Sequence, residues 1–196
     1  MKHHLSMWLR WLGVGVTIGL TILCPPRAAQ AAESDVEQNL HTAARYIQQH
    51  DYQQALVYTQ HALTLDPNSA KANSGMGNLY AGLHQYDKAI PYLEKALSLD
   101  PKDPTALFGL GACYMDLQQH EQAIPYLEQA VKLRPRETKP SEVLAVAYVR
   151  RGATYGRQGD NQHAKASIRS AINLFQKTKN TERVHELVEM LNHIPD

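Results

Sequence analysis

The sequence predicts an all-α protein: a solenoid of stacked helix–turn–helix units closed by one further helix. Three observations predict it. A tyrosine, two alanines and a proline recur as a set: Tyr46, Ala55, Ala62 and Pro67; Tyr80, Ala89, Ala96 and Pro101; Tyr114, Ala123, Ala130 and Pro135. The step between sets is 34 residues each time, a fixed period of the kind that stacked helical arrays show. Each period also holds two apolar runs at helical spacing, parted by polar residues and ended by proline.

The chain's 196 residues suffice for one ordinary domain and a targeting segment. At 43% apolar and 20% charged, its composition is that of a folded globular protein, not a disordered one. A net charge of +1 argues against a general nucleic-acid binder.

The first 31 residues read as a secretory leader. Lys2 and Arg10 precede an apolar run from Trp11 to Leu23, then Pro25, Pro26 and Arg27, then Ala29-Gln30-Ala31. A charged start, a short apolar core and small residues flanking a spacer match a signal peptide cleaved after Ala31. The core is too short to cross ~30 Å of hydrocarbon comfortably. An uncleaved anchor and a lipid anchor on Cys24 are the alternatives, although Leu23 stands where lipoprotein leaders place a small residue. Without the leader, Cys113 is the one remaining thiol, so no internal disulfide forms.

The unit 70–103 shows the pattern best. Met76, Gly77, Tyr80, Ala81 and Leu83 lie on one helical face; Gly82, His84 and Gln85 interrupt; Ala89, Ile90, Leu93, Ala96 and Leu97 form a second face; Asp100-Pro101 stops it. Small residues let the two helices approach, and Tyr80 fills the gap between them. Pro91 and Pro125 fall near the start of second helices and delete at most one hydrogen bond each.

These places resemble the tetratricopeptide repeat: small residue eighth, aromatic eleventh, alanines twentieth and twenty-seventh, proline thirty-second. Ala43, Tyr46, Ala55, Ala62 and Pro67 fill them in unit 36–69; Gly77, Tyr80, Ala89, Ala96 and Pro101 in unit 70–103; Gly111, Tyr114, Ala123, Ala130 and Pro135 in unit 104–137. A fourth, degenerate unit, 145–178, keeps Gly152, Tyr155, Ala164 and Ala171 but has Gln176 in place of proline. An insertion, 138–144, precedes it; Arg136–Pro140 reads as a loop, and Ser141 as the cap of the next helix. Val184, Leu187, Val188, Leu191 and Ile194 share a face in residues 180–194, which read as a capping helix over the last apolar surface, or else as a detachable partner helix or dimer contact.

The resemblance implies a right-handed α-solenoid whose first helices line a concave groove, where ligands of the family lie as extended peptides or helices. The groove-facing places hold Lys71, Ser74 and Asn78, then Phe108, Ala112 and Met115, then Val149, Arg150 and Arg157. That order gives a polar, an apolar and a basic section. The carboxamide of Asn78 can both donate to and accept from a ligand backbone; its alternative is a solvated helix residue. For Phe108 and Met115 the alternative is local packing. A subgroup of the family clamps the carboxyl terminus of cytosolic chaperones with lysines, asparagines and an arginine. The corresponding places here are Leu40, Ala44, Asn78, Thr105 and Gly109. Only Asn78 fits, so that ligand is excluded.

Charge is segregated along the chain. Residues 32–131 carry 5 basic and 12 acidic groups; residues 132–177 carry 10 basic and 3 acidic. A basic pole steers an acidic partner or orients copies head to tail. It lacks interleaved aromatics or a nucleic-acid motif. The common motifs of nucleophilic, zinc-protease and phosphate-loop chemistry do not occur. His50 and His84 stand one repeat apart; packed helices lie ~8–10 Å from one another while zinc ligands sit at ~2 Å, so the two are poor co-ligands. Cys113 falls among core-facing residues and reads as a buried structural thiol.

The sequence therefore predicts a non-enzymatic, exported adaptor without cofactor or metal. It holds a peptide or helix of a protein partner, in assembly of a cell-envelope complex. Contact with a membrane comes only through a retained or lipid anchor. The alternative is a self-associating scaffold, built through the charge poles or the last helix.

Overall fold

The computed structural model describes residues 27–195. All regular structure among them is helical: α1 (Arg27–Gln48), α2 (Tyr52–Leu65), α3 (Ala70–Gly82), α4 (Tyr86–Leu99), α5 (Pro104–Asp116), α6 (His120–Leu133), α7 (Thr138–Arg157), α8 (Asn161–Lys177) and α9 (Thr181–Asn192). Most of the predicted leader, and so the leader itself, lies outside the described residues. Helix α1 begins at Arg27 and runs without a break through Ala31 and on into the first unit.

Local chemistry sets most of the helix starts. The carboxylate of Asp51 accepts from Gln54 N, Ser69 Oγ from Ala72 N, Asp103 from Thr105 N and Asp160 from His163 N, and the Asn180 amide oxygen accepts from Arg183 N. Each bond occupies one amide that a helix start leaves without a partner. Pro91 and Pro125 stand sixth in α4 and α6, just beyond the first turn, and each removes a single intrahelical donor.

Within each unit the two helices touch, and α9 packs on α8. First helices of successive units also meet, α1 with α3, α3 with α5 and α5 with α7; among the described residues, second helices of successive units do not. The array therefore bends with α1, α3, α5 and α7 on its inner side. Close approach within a unit depends on small residues. A methyl group on Gly77 would stand 2.5 Å from Leu93 Cγ, and one on Gly111 2.7 Å from Leu127 Cγ. Ala55, Ala62, Ala89, Ala96 and Ala123 have no exposed surface. The repeated tyrosines do more than fill gaps. Each stacks on a tyrosine of the second helix: Tyr46 on Tyr58, Tyr80 on Tyr92 and Tyr114 on Tyr126, with centroids 5.3, 5.8 and 5.8 Å apart.

Two expectations are corrected at the fourth unit. The loop over Arg136–Pro140 does not form, because α7 starts at Thr138 and absorbs the insertion into a 20-residue helix. Pro140 is third in that helix, where its missing N–H had no partner to lose. Ser141 is no cap: it is buried in the first turn, and its Oγ donates to Glu137 O at 3.4 Å. With Gln176 in place of proline, α8 runs to Lys177. Leu187 of α9 is buried on Leu174 and Phe175, with Val184, Leu191 and Ile194 packed around them.

The turn inside each unit uses one left-handed residue: His50, His84 and Gln118, at φ 59°, 59° and 61°. Gly159, at φ 77°, holds the same place once the seven inserted residues are counted. A side chain costs about 1 kcal/mol in this conformation. No atom comes within 4 Å of a methyl group placed on Gly159, so only the backbone term applies. Gln118→Gly should raise the thermal midpoint, and Gly159→Ala lower it, each by about 1 kcal/mol of unfolding free energy read by circular dichroism. Equal midpoints would show these turns to be unstrained.

Candidate interaction surface

The inner wall is formed by the outward sides of α1, α3, α5 and α7. In its first half Lys71 of α3 reaches Glu37 of α1, Nζ to Oε1, at 3.3 Å. The two residues occupy the same place in successive units. Both are well exposed, so the pair contributes under about 1 kcal/mol and is screened by salt. Ser74 is buried, and its Oγ has no hydrogen-bond partner among the described residues. Asn78 is half-buried, and its Nδ2 donates to Ser74 O at 2.8 Å. A methyl group on Gly109 would stand 2.3 Å from Asn78 Oδ1. Asn78 is thus wedged between α3 and α5, neither a freely solvated residue nor one whose amide is fully available to a ligand.

In the second half the first helices carry apolar and then basic residues. Phe108, Met115 and Val149 pack their inner sides on the core shared by α6, α7 and α8. Ala112 lies half-buried on α5, between Phe108 and Met115. The lengthened start of α7 brings Lys139 Nζ over the Phe108 ring, 5.8 Å from its centroid. Arg150 and Arg157 are exposed; Arg157 donates to Thr154 Oγ1 at 3.3 Å, and Arg150 exerts its charge on His120. The sequence-derived residues are therefore spread along one wall and do not converge on a centre.

The structure adds a feature that sequence reasoning missed. Between α1 and α3 lies an open cleft of about 270 Å³ with Leu40, Ala44, Ile47, Gly75 and Leu79 on its walls. Glu37, His41 and Lys71 supply its polar lining. Ile47 is 40% exposed at its rim. Ala44 and Gly75 hollow it out, and at Gly75 a methyl group would meet only Thr59 Cγ2, at 3.7 Å. The signal was present: Leu40 and Ala44 entered the sequence reading as missing clamp residues, when a bulky residue beside two small ones already implies a hollow.

Shifted groups lie beneath the wall and behind it. Burial, with Asp116 nearby, pushes the Cys113 thiol up to about 11. Tyr148 is pushed up to about 12 by burial and by donating its phenol proton to Glu128. Its ring also carries the Arg151 guanidinium at 4.7 Å. Burial first, then the Arg150 charge, holds His120 below its ordinary 6.5, and its Nδ1 has no hydrogen-bond partner among the described residues. No group of three metal-ligating side chains occurs among the described residues, and none of their helices is long and apolar enough to cross a membrane.

Family comparison follows this geometry. Three tetratricopeptide repeat models match the chain, over residues 43–108, 80–145 and 145–178. The chain belongs to the tetratricopeptide repeat family. No curated relative matches it. Among solved structures, a crystal structure of MamA protein is similar at 21% identity and a TM-score of 0.58, covering 77% of this chain and 79% of that one. The first tetratricopeptide repeat domain of Spaghetti (RPAP3), bound to the HSP90 peptide SRMEEVD, is similar at 19% identity and a TM-score of 0.55, covering 58% and 90%. An O-GlcNAc transferase mutant from Thermobaculum terrenum reaches a TM-score of 0.62 at 20% identity, but only 26% of that chain is covered. These likenesses establish the fold alone.

Two predictions arise here. Cys113 should resist maleimide at about pH 8 in the folded protein and react once denatured; fast labelling of the native chain would contradict its burial. For His120 the folded value lies below the unfolded one, so the unfolded chain takes up its proton first as pH falls. The stability His120 contributes is then present above about pH 6.5 and lost as pH falls through the folded value. Thermal midpoints at neutral and mildly acid pH should diverge less in His120→Gln than in the parent protein; an equal divergence would place the slope elsewhere.

Proposed function

We propose that the protein is a non-catalytic adaptor that binds a peptide or helix of another protein along the wall formed by α1, α3, α5 and α7. The observation that carries this reading is the α1–α3 cleft, an open apolar hollow on the inner side of a rigid array. Binding energy of this kind comes from a few apolar anchors seated in hollows and ringed by polar groups. The wall offers such a hollow in its first unit, exposed Val146 (39%) near its other end, and the charges of Lys139, Arg150 and Arg157 beyond. The related fold solved with a bound HSP90 peptide supports peptide capture as a mode of action. The same ligand is not expected here, because Leu40, Ala44, Thr105 and Gly109 lack the side chains to hold a terminal carboxylate.

Export across a bacterial-type inner membrane, and service to an envelope complex, are the finer parts of the proposal. Their support is the leader: two cations, an apolar core and Ala29-Gln30-Ala31. The second reading, a self-associating scaffold, is favoured by the apolar side chains exposed on α9.

The immobilised protein should retain a partner from an envelope extract, identified by mass spectrometry. Ile47→Glu and Val146→Glu, both at exposed inner-wall positions, should cut retention by about tenfold or more, while Val57→Glu on a second helix should leave it intact. Retention that survives both inner-wall variants would sink the groove. Mass measurement of the mature chain checks the leader: a start at Ala32 agrees with export, and an intact Met1 argues against it.

A further inference from the structure

The junctions between successive units follow one plan twice and then depart from it. At the first two, a tyrosine at the start of a second helix packs into the cluster that holds a buried residue of the next first helix: Tyr52 in that of Leu79, and Tyr86 in that of Cys113. One turn before those residues stand Met76 and Leu110, also buried. Tyr86 further donates its phenol proton to Asp116 Oδ2, at 3.0 Å. At the third junction, once the seven inserted residues are counted, every one of these places changes. His120 stands for the tyrosine, Arg151 for Met76 and Leu110, Thr154 for Leu79 and Cys113, and Arg157 for Asp116. Where the earlier junctions are packed, a polar cleft of about 300 Å³ lies between the α5–α6 turn and α7, with Gln118, His120, Glu121, Arg151 and Thr154 on its walls.

We propose that this cleft, with Arg150 and Arg157 beside it, seats the side-chain carboxylates of an acidic segment in the protein ligand. That the ligand is a protein rests on the groove reading above; its acidic character rests on this cleft. The cations here are uncommitted. Lys71, Arg134 and Arg183 each reach a carboxylate. Among the described residues Arg150, Arg151 and Arg157 form no ion pair. Arg151 is held without being neutralised. Its guanidinium lies 4.7 Å from the Tyr148 ring centroid, and its Nε donates to Ser167 Oγ at 3.2 Å. Both terminal nitrogens lack a hydrogen-bond partner among the described residues. A guanidinium fixed at Nε in this way presents a preordered two-donor edge to a carboxylate.

The rest of the cleft agrees in sign. His120 Nδ1 is buried without a partner among the described residues, a polar group that a ligand oxygen can satisfy. The start of α6 has no side-chain cap and adds its partial positive charge. Glu121 is the one acid on the lining. It repels a dianionic phosphate more than a singly charged carboxylate, which favours an acidic side chain as the occupant. The cleft is also continuous with the inner wall. Arg157 donates to Thr154 Oγ1 at 3.3 Å, and Arg150, one turn before Thr154, lies on that wall and is exposed. A ligand that runs along the groove therefore reaches the cleft without leaving the surface.

Nuclear magnetic resonance titration of the full chain, as processed by the cell that makes it, tests this with a hexaglutamate peptide blocked at both ends. Hexaglutamine and inorganic phosphate are the comparison probes. At low salt the Arg151 Nε–H signal and the amides of residues 118–122 should move and saturate below about 2 mM hexaglutamate, and hexaglutamine should leave them still. Arg151→Leu gives that place the side chain of its counterpart Leu110. It should keep the helical circular dichroism and weaken binding about tenfold or more. Arg150→Gln with Arg157→Gln, at exposed positions, should weaken binding about threefold, while Lys95→Gln on α4 should leave it unchanged. Absence of saturation, an equal response to hexaglutamine, phosphate bound more tightly than hexaglutamate, or an affinity unmoved in both arginine variants would each overturn the proposal. The titration does not depend on Ile47 or Val146, so loss of the groove in the retention assay and loss of the acid site in this one are separate results.

Discussion

The structure depends on how closely the two helices of a unit can lie. Gly77 and Gly111 leave no room for a methyl group beside Leu93 and Leu127, and the repeated alanines of the second helices are buried. At such separations the side chains interlock, and every added carbon must displace a neighbour. The stacked tyrosine pairs then fix the rotation of one helix on the other, since both rings must lie nearly parallel. Once this geometry is set in one unit, copying it at a constant step turns the first helices to the inside and the second to the outside. The inner wall is a product of packing, and its chemistry is whatever the first helices carry.

The fold was largely legible because its determinants are periodic. A small residue, an aromatic, two alanines and a stop signal, each at a fixed offset, specify a helical hairpin without long-range information. The tyrosine partners Tyr58, Tyr92 and Tyr126 were equally periodic and went unread, because a tyrosine on a half-buried helix face signals nothing until its neighbour is known. The fourth unit was misread at its start for a different reason. Pro140 resembles a break, yet a proline in the first turn of a helix removes no bond, and sequence alone does not say which turn it occupies.

The surface was legible only in outline. The order of polar, apolar and basic sections follows from which residues occupy the inner places. What each side chain does there follows from its neighbours in the adjoining unit, and these lie 30 or more residues away. Asn78 shows this well: its amide is tied to the carbonyl of Ser74 and its oxygen sits where Gly109 has no side chain. The α1–α3 cleft arises in the same way, from two small residues on different helices. Hollows between units are properties of pairs, so they emerge only when both partners are placed.

The seven residues added before the fourth unit carry one last implication. Seven positions at 100° each amount to nearly two full revolutions, with a lag of about 20°. An addition of this size lengthens α7 while leaving its angular phase almost unaltered, so Val149 and Arg150 still point to the side that their counterparts Ser74 and Gly75 do. An addition of five would have swung the same residues by roughly 140°, burying the charge and baring the core. Length here changed without a change of direction.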